Sequence, residues 1–140
     1  MDKSVTVVLK SRQSNGDETQ DMEVMTDGEF YVRGEKKYLI FEEILEESMP
    51  PVKTMLKLLP EKAVLTRKGP VEYQMEFERG KKNITYYNTP MGNLVLEIDT
   101  EEIDVVQEEH SLQVNIHYLL EMDGEPLSCS SIEICVKEKK

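Results

Sequence analysis

The chain has 140 residues, of which 39% are hydrophobic and 32% charged, with a formal net charge of −11. That length suits one domain with a single sizeable core. The acidic balance argues against sequence-independent nucleic-acid binding, which depends on cations that neutralise phosphates, and against docking on anionic lipid. The longest early apolar run, "VTVVL" at 5–9, is shorter than a signal-peptide core, and no run approaches the ~20 apolar residues that span a bilayer. The expectation is a cytoplasmic protein without a membrane partner.

Period-2 alternation runs along most of the chain. "SVTVVLK" (4–10) places Val5, Val7 and Leu9 on one face. "YLIFEEIL" (38–45) is an apolar run ending in Glu42 and Glu43. If both of its faces are covered, one glutamate points inward and must be paired, hydrogen-bonded or protonated. Arg67, which shares parity with Leu65, is the natural partner; the alternative is a solvated pair at a rim. "VKTMLKLL" (52–59) fits a helical stripe and a strand face equally well.

"VEYQMEFER" (71–79) directs Val71, Tyr73, Met75 and Phe77 one way and its glutamates the other, with Arg79 in phase at the end. In 93–107, Leu94, Leu96 and Ile98 are in phase, whereas Ile103 and Val105 carry the opposite parity. An extra residue near Thr100 to Glu102 would restore facing, which predicts a β-bulge there; the alternative is a break into two strands. "SLQVNIHYLLEM" (111–122) turns Leu112, Val114, Ile116, Tyr118 and Leu120 inward and His117 outward, and "SIEICVK" (131–137) does the same with Ile132, Ile134 and Val136.

Turn signals fall at Asn15-Gly16, Asp27-Gly28, Arg33-Gly34, Pro50-Pro51, Gly69-Pro70, Arg79-Gly80, Pro90 to Gly92 and Asp123-Gly124. Many strands joined by short turns describe an up-and-down meander. Such a meander exposes two edges unless it closes, which predicts an all-β antiparallel barrel of about 8–10 strands.

Little in the sequence carries recognisable chemistry. Cys129 and Cys135 lie on one predicted strand, roughly 20 Å apart at strand rise, too far for a disulfide, so free thiols are expected. His110 and His117 have no partners at metal-ligand spacing, and no Gly-rich phosphate loop or nucleophile elbow is present; neither metal nor cofactor is expected. The basic residues Arg67, Lys68, Arg79, Lys81 and Lys82 flank two consecutive turns, hence opposite rims. Residues 83–136 hold eleven acids and no Lys or Arg, so cross-strand pairing with the basic middle is expected.

The run "YLIFEE" (38–43), followed by "VKT" (52–54), "VLTRKGPV" (64–71), "MEFERG" (75–80), "YNTPMGNLVLEIDT" (87–100) and "VNIHYLL" (114–120), resembles the YwiB-like family of uncharacterised bacterial proteins. The resemblance covers about residues 4 to 137 and departs at "FEEILEESMPP". It implies a calycin-like, lipocalin-type β-barrel in the cytoplasm and favours the strand reading of 52–59. It implies no activity and carries no site residue over.

Three functions fit this reading. A small-molecule-binding barrel would orient its ligand with Glu43, Arg67, Arg79, Tyr87 and Tyr118 near the mouth. An interaction or structural protein would have a filled barrel and use methionines such as Met22, Met25, Met49 and Met55, or a homodimer face, as its surface. An enzyme would use an inward glutamate as acid or base.

Overall fold

In the computed structural model, which describes residues 3–44, 48, 50–69, 72–89 and 92–139, ten strands form one antiparallel sheet. They are β1 (Lys3–Asn15), β2 (Glu18–Arg33), β3 (Lys36–Glu43), β4 (Val52–Leu59), β5 (Lys62–Lys68), β6 (Tyr73–Phe77), β7 (Lys82–Thr89), β8 (Gly92–Gln107), β9 (Ser111–Met122) and β10 (Glu125–Glu138). The order β6-β5-β4-β3-β2-β1-β10-β9-β8-β7 is an up-and-down meander joined by a β1–β10 ladder. Among the described residues no helix is long and apolar enough to cross a membrane.

The sheet curls until its end strands β6 and β7 meet, making a nearly closed barrel. The seam is held by side chains and turn backbone. Asn83 Nδ2 donates to the Glu76 carbonyl at 3.3 Å. Gly80 N donates to the Thr100 carbonyl at 2.9 Å, and Thr100 N to the Lys81 carbonyl at 3.1 Å. The Tyr73 and Tyr87 rings meet across the seam with centroids 4.7 Å apart.

The 52–59 segment is strand, and its burial follows the strand face: Val52, Thr54, Leu56 and Leu58 are buried, while the residues between them are exposed or half-buried. The predicted bulge is present, since the β8–β9 register shifts between Thr100 and Glu102. Beyond it Ile103 pairs with Ile116 and packs against the core. A second shift, between Pro126 and Ser128 in β10, has no counterpart in the sequence reading. Val71, Pro70, Pro90 and residues 45–47 lie outside the described residues.

One expected turn is not a turn. Asp27-Gly28 lies inside β2, where Gly28 pairs with Val5 on one side and Phe41 on the other. A Cβ on Gly28 would stand 2.7 Å from the Ile40 carbonyl oxygen and 3.1 Å from Val7 Cγ2. The glycine therefore permits close strand approach rather than a reversal. Gly28→Ala is expected to cost about 1–3 kcal/mol, because the Ile40 backbone on one side and the Val7 side chain on the other must shift. Urea unfolding measures this, and a loss below about 0.5 kcal/mol would contradict the close approach.

The core fills one end of the barrel. Val5, Val7, Phe30, Leu39, Leu58, Ala63, Phe77, Leu112 and Val136 are buried there, near the β2–β3, β4–β5 and β8–β9 connections. Toward the opposite rim, where β3 ends and β6 begins, the described residues do not fill the interior. That asymmetry positions the site.

Candidate functional site

The unfilled half encloses a cavity of about 510 Å³. Its walls are mostly apolar and include Leu65, Met75, Leu96, Ile98, Leu120 and Ile132. The polar lining residues are Arg67, Tyr73, Thr85, Tyr87 and Tyr118 on the walls, Ser11, Gln13, Gln20 and Asp21 toward the mouth, and Ser131.

Arg67 is the most constrained of these. Inward parity on β5 places it beside Thr54 of β4 and Tyr73 of β6 in the ladders. Glu43 ends β3 with 0% of its surface exposed, and Arg67 clamps it with two donors, Nε to Oε2 at 2.9 Å and Nη2 to Oε1 at 3.0 Å. Thr54 Oγ1 donates to the same Oε2, and Arg67 Nη1 donates to the Tyr73 hydroxyl oxygen. The guanidinium also stands 5.6 Å from the Tyr73 ring centre. Burial alone would lower the Arg67 pKa, but Tyr73 and Glu43 more than offset it, so the guanidinium's pKa lies above its ordinary value.

Glu42, by contrast, is exposed and lies opposite Lys53. Of the two glutamates, the structure thus turns one inward and pairs it with Arg67. Glu43 accepts three hydrogen bonds and does not border the cavity; it sits behind Arg67. A carboxylate so engaged is poorly placed to exchange protons with a bound molecule, which removes the geometric support for an acid–base role.

Tyr118 is buried against Phe77, with centroids 5.0 Å apart, and lies opposite Ser130 in the β9–β10 ladder. Tyr87 is half-buried and stacks on Tyr73. Four of the five expected ligand residues, Glu43, Arg67, Tyr87 and Tyr118, therefore gather on or directly behind the cavity wall. Arg79 does not. It lies at the filled end with its side chain 63% exposed, donates to the Ile103 carbonyl, and stands 3.8 Å from Asp104. Its parity with Phe77 fails because β6 stops at Phe77 and residues 79–80 already turn. Arg79 borders a charged surface groove with Lys62, Glu78 and Asp104 instead. The expected pairing of basic middle and acidic later strands is seen there and in Lys82 Nζ–Glu121 Oε2 at 3.3 Å. Pairs this exposed contribute little stability.

Thr54, Tyr73 and Thr85 complete the site. Tyr73 is legible as an inward position through its parity with Met75 and Phe77, and Thr54 through the strand face it shares with Val52, Leu56 and Leu58; Thr85 carries no distinguishing signal. Thr85 is 2% exposed, lines the cavity, and its Oγ1 has no hydrogen-bond partner among the described residues. A buried hydroxyl without a partner is costly unless something enters to satisfy it.

Burial raises the Tyr73 and Tyr118 hydroxyls above the ordinary value near 10, and Arg67 beside the first and Ser130 beside the second only partly oppose it. A raised acid pKa means that the folded protein holds these protons more tightly than the unfolded chain. Stability is therefore retained below about pH 10 and falls as pH climbs from there through the folded values. Tyr73→Phe is expected to reduce that alkaline loss in urea unfolding measured across the window; an unchanged slope would exclude Tyr73 as a source.

A family model described as "Domain of unknown function (DUF1934)" matches residues 7–134. The chain belongs to the DUF1934 family. It is 27% identical over 121 residues to the uncharacterized beta-barrel protein YwiB of Bacillus subtilis (strain 168), spanning 86% of this chain and 84% of that protein. The crystal structure of ywiB protein from Bacillus subtilis superposes with a TM-score of 0.87 at 24% identity, covering 99% of this chain and 94% of that one. The barrel is thus shared between this DUF1934 chain and that solved structure, and the resemblance read from "YLIFEE" through "VNIHYLL" holds.

Proposed function

We propose that this barrel binds a small molecule in its open half. The observation that carries the reading is the pairing of an apolar cavity of about 510 Å³ with a few polar groups fixed by buried partners, above all Arg67 clamped by Glu43. Ligand sites have this form: enclosed apolar walls for affinity and a small polar set for orientation. The partnerless hydroxyl of Thr85 on the wall supports it. We read the half-filled, half-open layout as a calycin-like, lipocalin-type barrel, a reading that the ten-stranded antiparallel meander supports. The free cysteines and the acidic surface accord with a cytoplasmic location.

Native mass spectrometry of freshly purified protein, compared with the denatured mass, tests the proposal. A reproducible non-covalent adduct is expected. A bare mass, together with no response to added small apolar molecules, would contradict it.

A second reading, self-association, rests on the outer face of β7 and β8. Ile84, Tyr86 and Val95 are exposed there, Tyr86 opposite Val95, and β7 ends the strand order. Three side chains make a small patch against what a stable dimer buries, so this reading ranks second. A concentration-independent monomer in light scattering would remove it.

A further inference from the structure

Resting on the binding reading above, we infer that the cavity takes an uncharged, mainly apolar molecule bearing a carbonyl-type hydrogen-bond acceptor, which the remaining donors of Arg67 and Tyr73 hold.

The first step is a charge account. Among the described residues two ionised side chains border the cavity, Arg67 on the wall and Asp21 toward the mouth. Each is already neutralised by a partner that does not face the interior. Arg67 gives two N–H groups to Glu43 behind the wall. Asp21 takes Arg12 Nε at 2.7 Å and Nη2 at 3.3 Å on the exposed side. An anionic ligand would have to compete with Glu43 for Arg67, in a site that water cannot screen well. A buried anion without its own counter-charge is strongly disfavoured. The net charge of −11 adds long-range repulsion.

The second step is a donor account. A guanidinium has five N–H bonds. Among the described residues three of those on Arg67 are engaged, two by Glu43 and one by the Tyr73 oxygen. One N–H remains on each terminal nitrogen. Because the Tyr73 oxygen accepts from Arg67, its own proton is left to donate. Thr85 contributes a further unpartnered hydroxyl on the same wall. The Thr85 hydroxyl can donate or accept, but the free Arg67 N–H groups can only donate, so the surplus is in donors and the complementary ligand group is an acceptor. The cavity volume sets the scale: about 510 Å³ is room for roughly seventeen water-sized groups at ~30 Å³ each.

The test uses two probes of equal heavy-atom count, methyl nonyl ketone and decanoate, titrated into the full chain and followed by amide NMR. The ketone is expected to shift the amides of Leu96 and Leu120 and to bind at least about tenfold more tightly than decanoate. Tyr73→Phe removes the tyrosine donor, keeps the ring and releases one Arg67 N–H that stays aimed at the vacated hydroxyl position, and is expected to weaken the ketone about two- to tenfold. Decanoate binding as tightly as the ketone at the same amides would overturn the inference and leave the cavity reading standing. A Tyr73→Phe variant that binds the ketone unchanged would overturn the donor assignment. Failure of both probes to move any cavity amide would overturn both the binding reading and the inference.

Discussion

Arg67→Met is expected to lower the unfolding free energy by about 3–5 kcal/mol. That is a large part of the ~5–15 kcal/mol a domain usually holds. The loss does not measure the attraction between Arg67 and Glu43. It measures what remains when the arginine goes: a carboxylate with no exposed surface and, among the described residues, only Thr54 to donate to it. Replacing both charges, Glu43→Leu with Arg67→Met, should recover at least half of the loss, since removing a buried ion pair altogether is often near neutral. Full recovery is not expected, because Thr54 and Tyr73 each lose a partner worth about 1 kcal/mol. Urea unfolding of the two single variants and the double variant decides this. A single loss under about 1 kcal/mol would mean that the pair is solvated. A double variant less stable than Arg67→Met would mean that the pair stabilises the fold outright. Retaining an ion pair that two apolar residues could replace is then best explained by its aim, since it fixes the guanidinium against the cavity wall.

Much of this was legible before any coordinates. Parity alone assigned the faces of β1, β6, β9 and β10, because each has a buried side and a wet side and a one-residue slip would invert both. The bulge near Glu101 followed from the same logic, as Ile98 and Ile103 cannot share a face without an extra residue. What failed was non-local. Asp27-Gly28 has the local chemistry of a turn, and only the Ile40 carbonyl, 2.7 Å from where a Cβ would stand, shows why glycine is there. Arg79 inherited a face from a strand that had already ended. In β7 the usual pattern is inverted. Ile84 and Tyr86 are 59% and 66% exposed, while Thr85 is buried and Tyr87 half-buried. A wall that presents hydroxyls to a cavity cannot be found by looking for apolar residues on the inside.

Phe77→Ala is expected to destabilise the protein by a comparable amount, about 3–5 kcal/mol, through a different mechanism. The ring is fully buried, lies opposite Ala63 in the β5–β6 ladder, and packs on Tyr118. Ala63 has no side chain long enough to fill the space it would leave. Phe77 does not border the cavity, but Tyr118 does, so the phenylalanine forms the layer beneath the cavity floor. Its removal should free the Tyr118 ring to settle toward the filled end and deepen the cavity. Phe30→Ala makes the control. Phe30 is equally buried at the same end but pairs with Leu39 on the far side of the sheet order. The two variants should lose similar stability in urea, and only Phe77→Ala should improve binding of a ketone longer than methyl nonyl ketone. Equal binding by both would place the floor above Tyr118 and make the depth a property of the β9 side chains alone. A gain confined to Phe77→Ala would show that ligand length is limited by one ring, and that the filled half sets specificity for the open half.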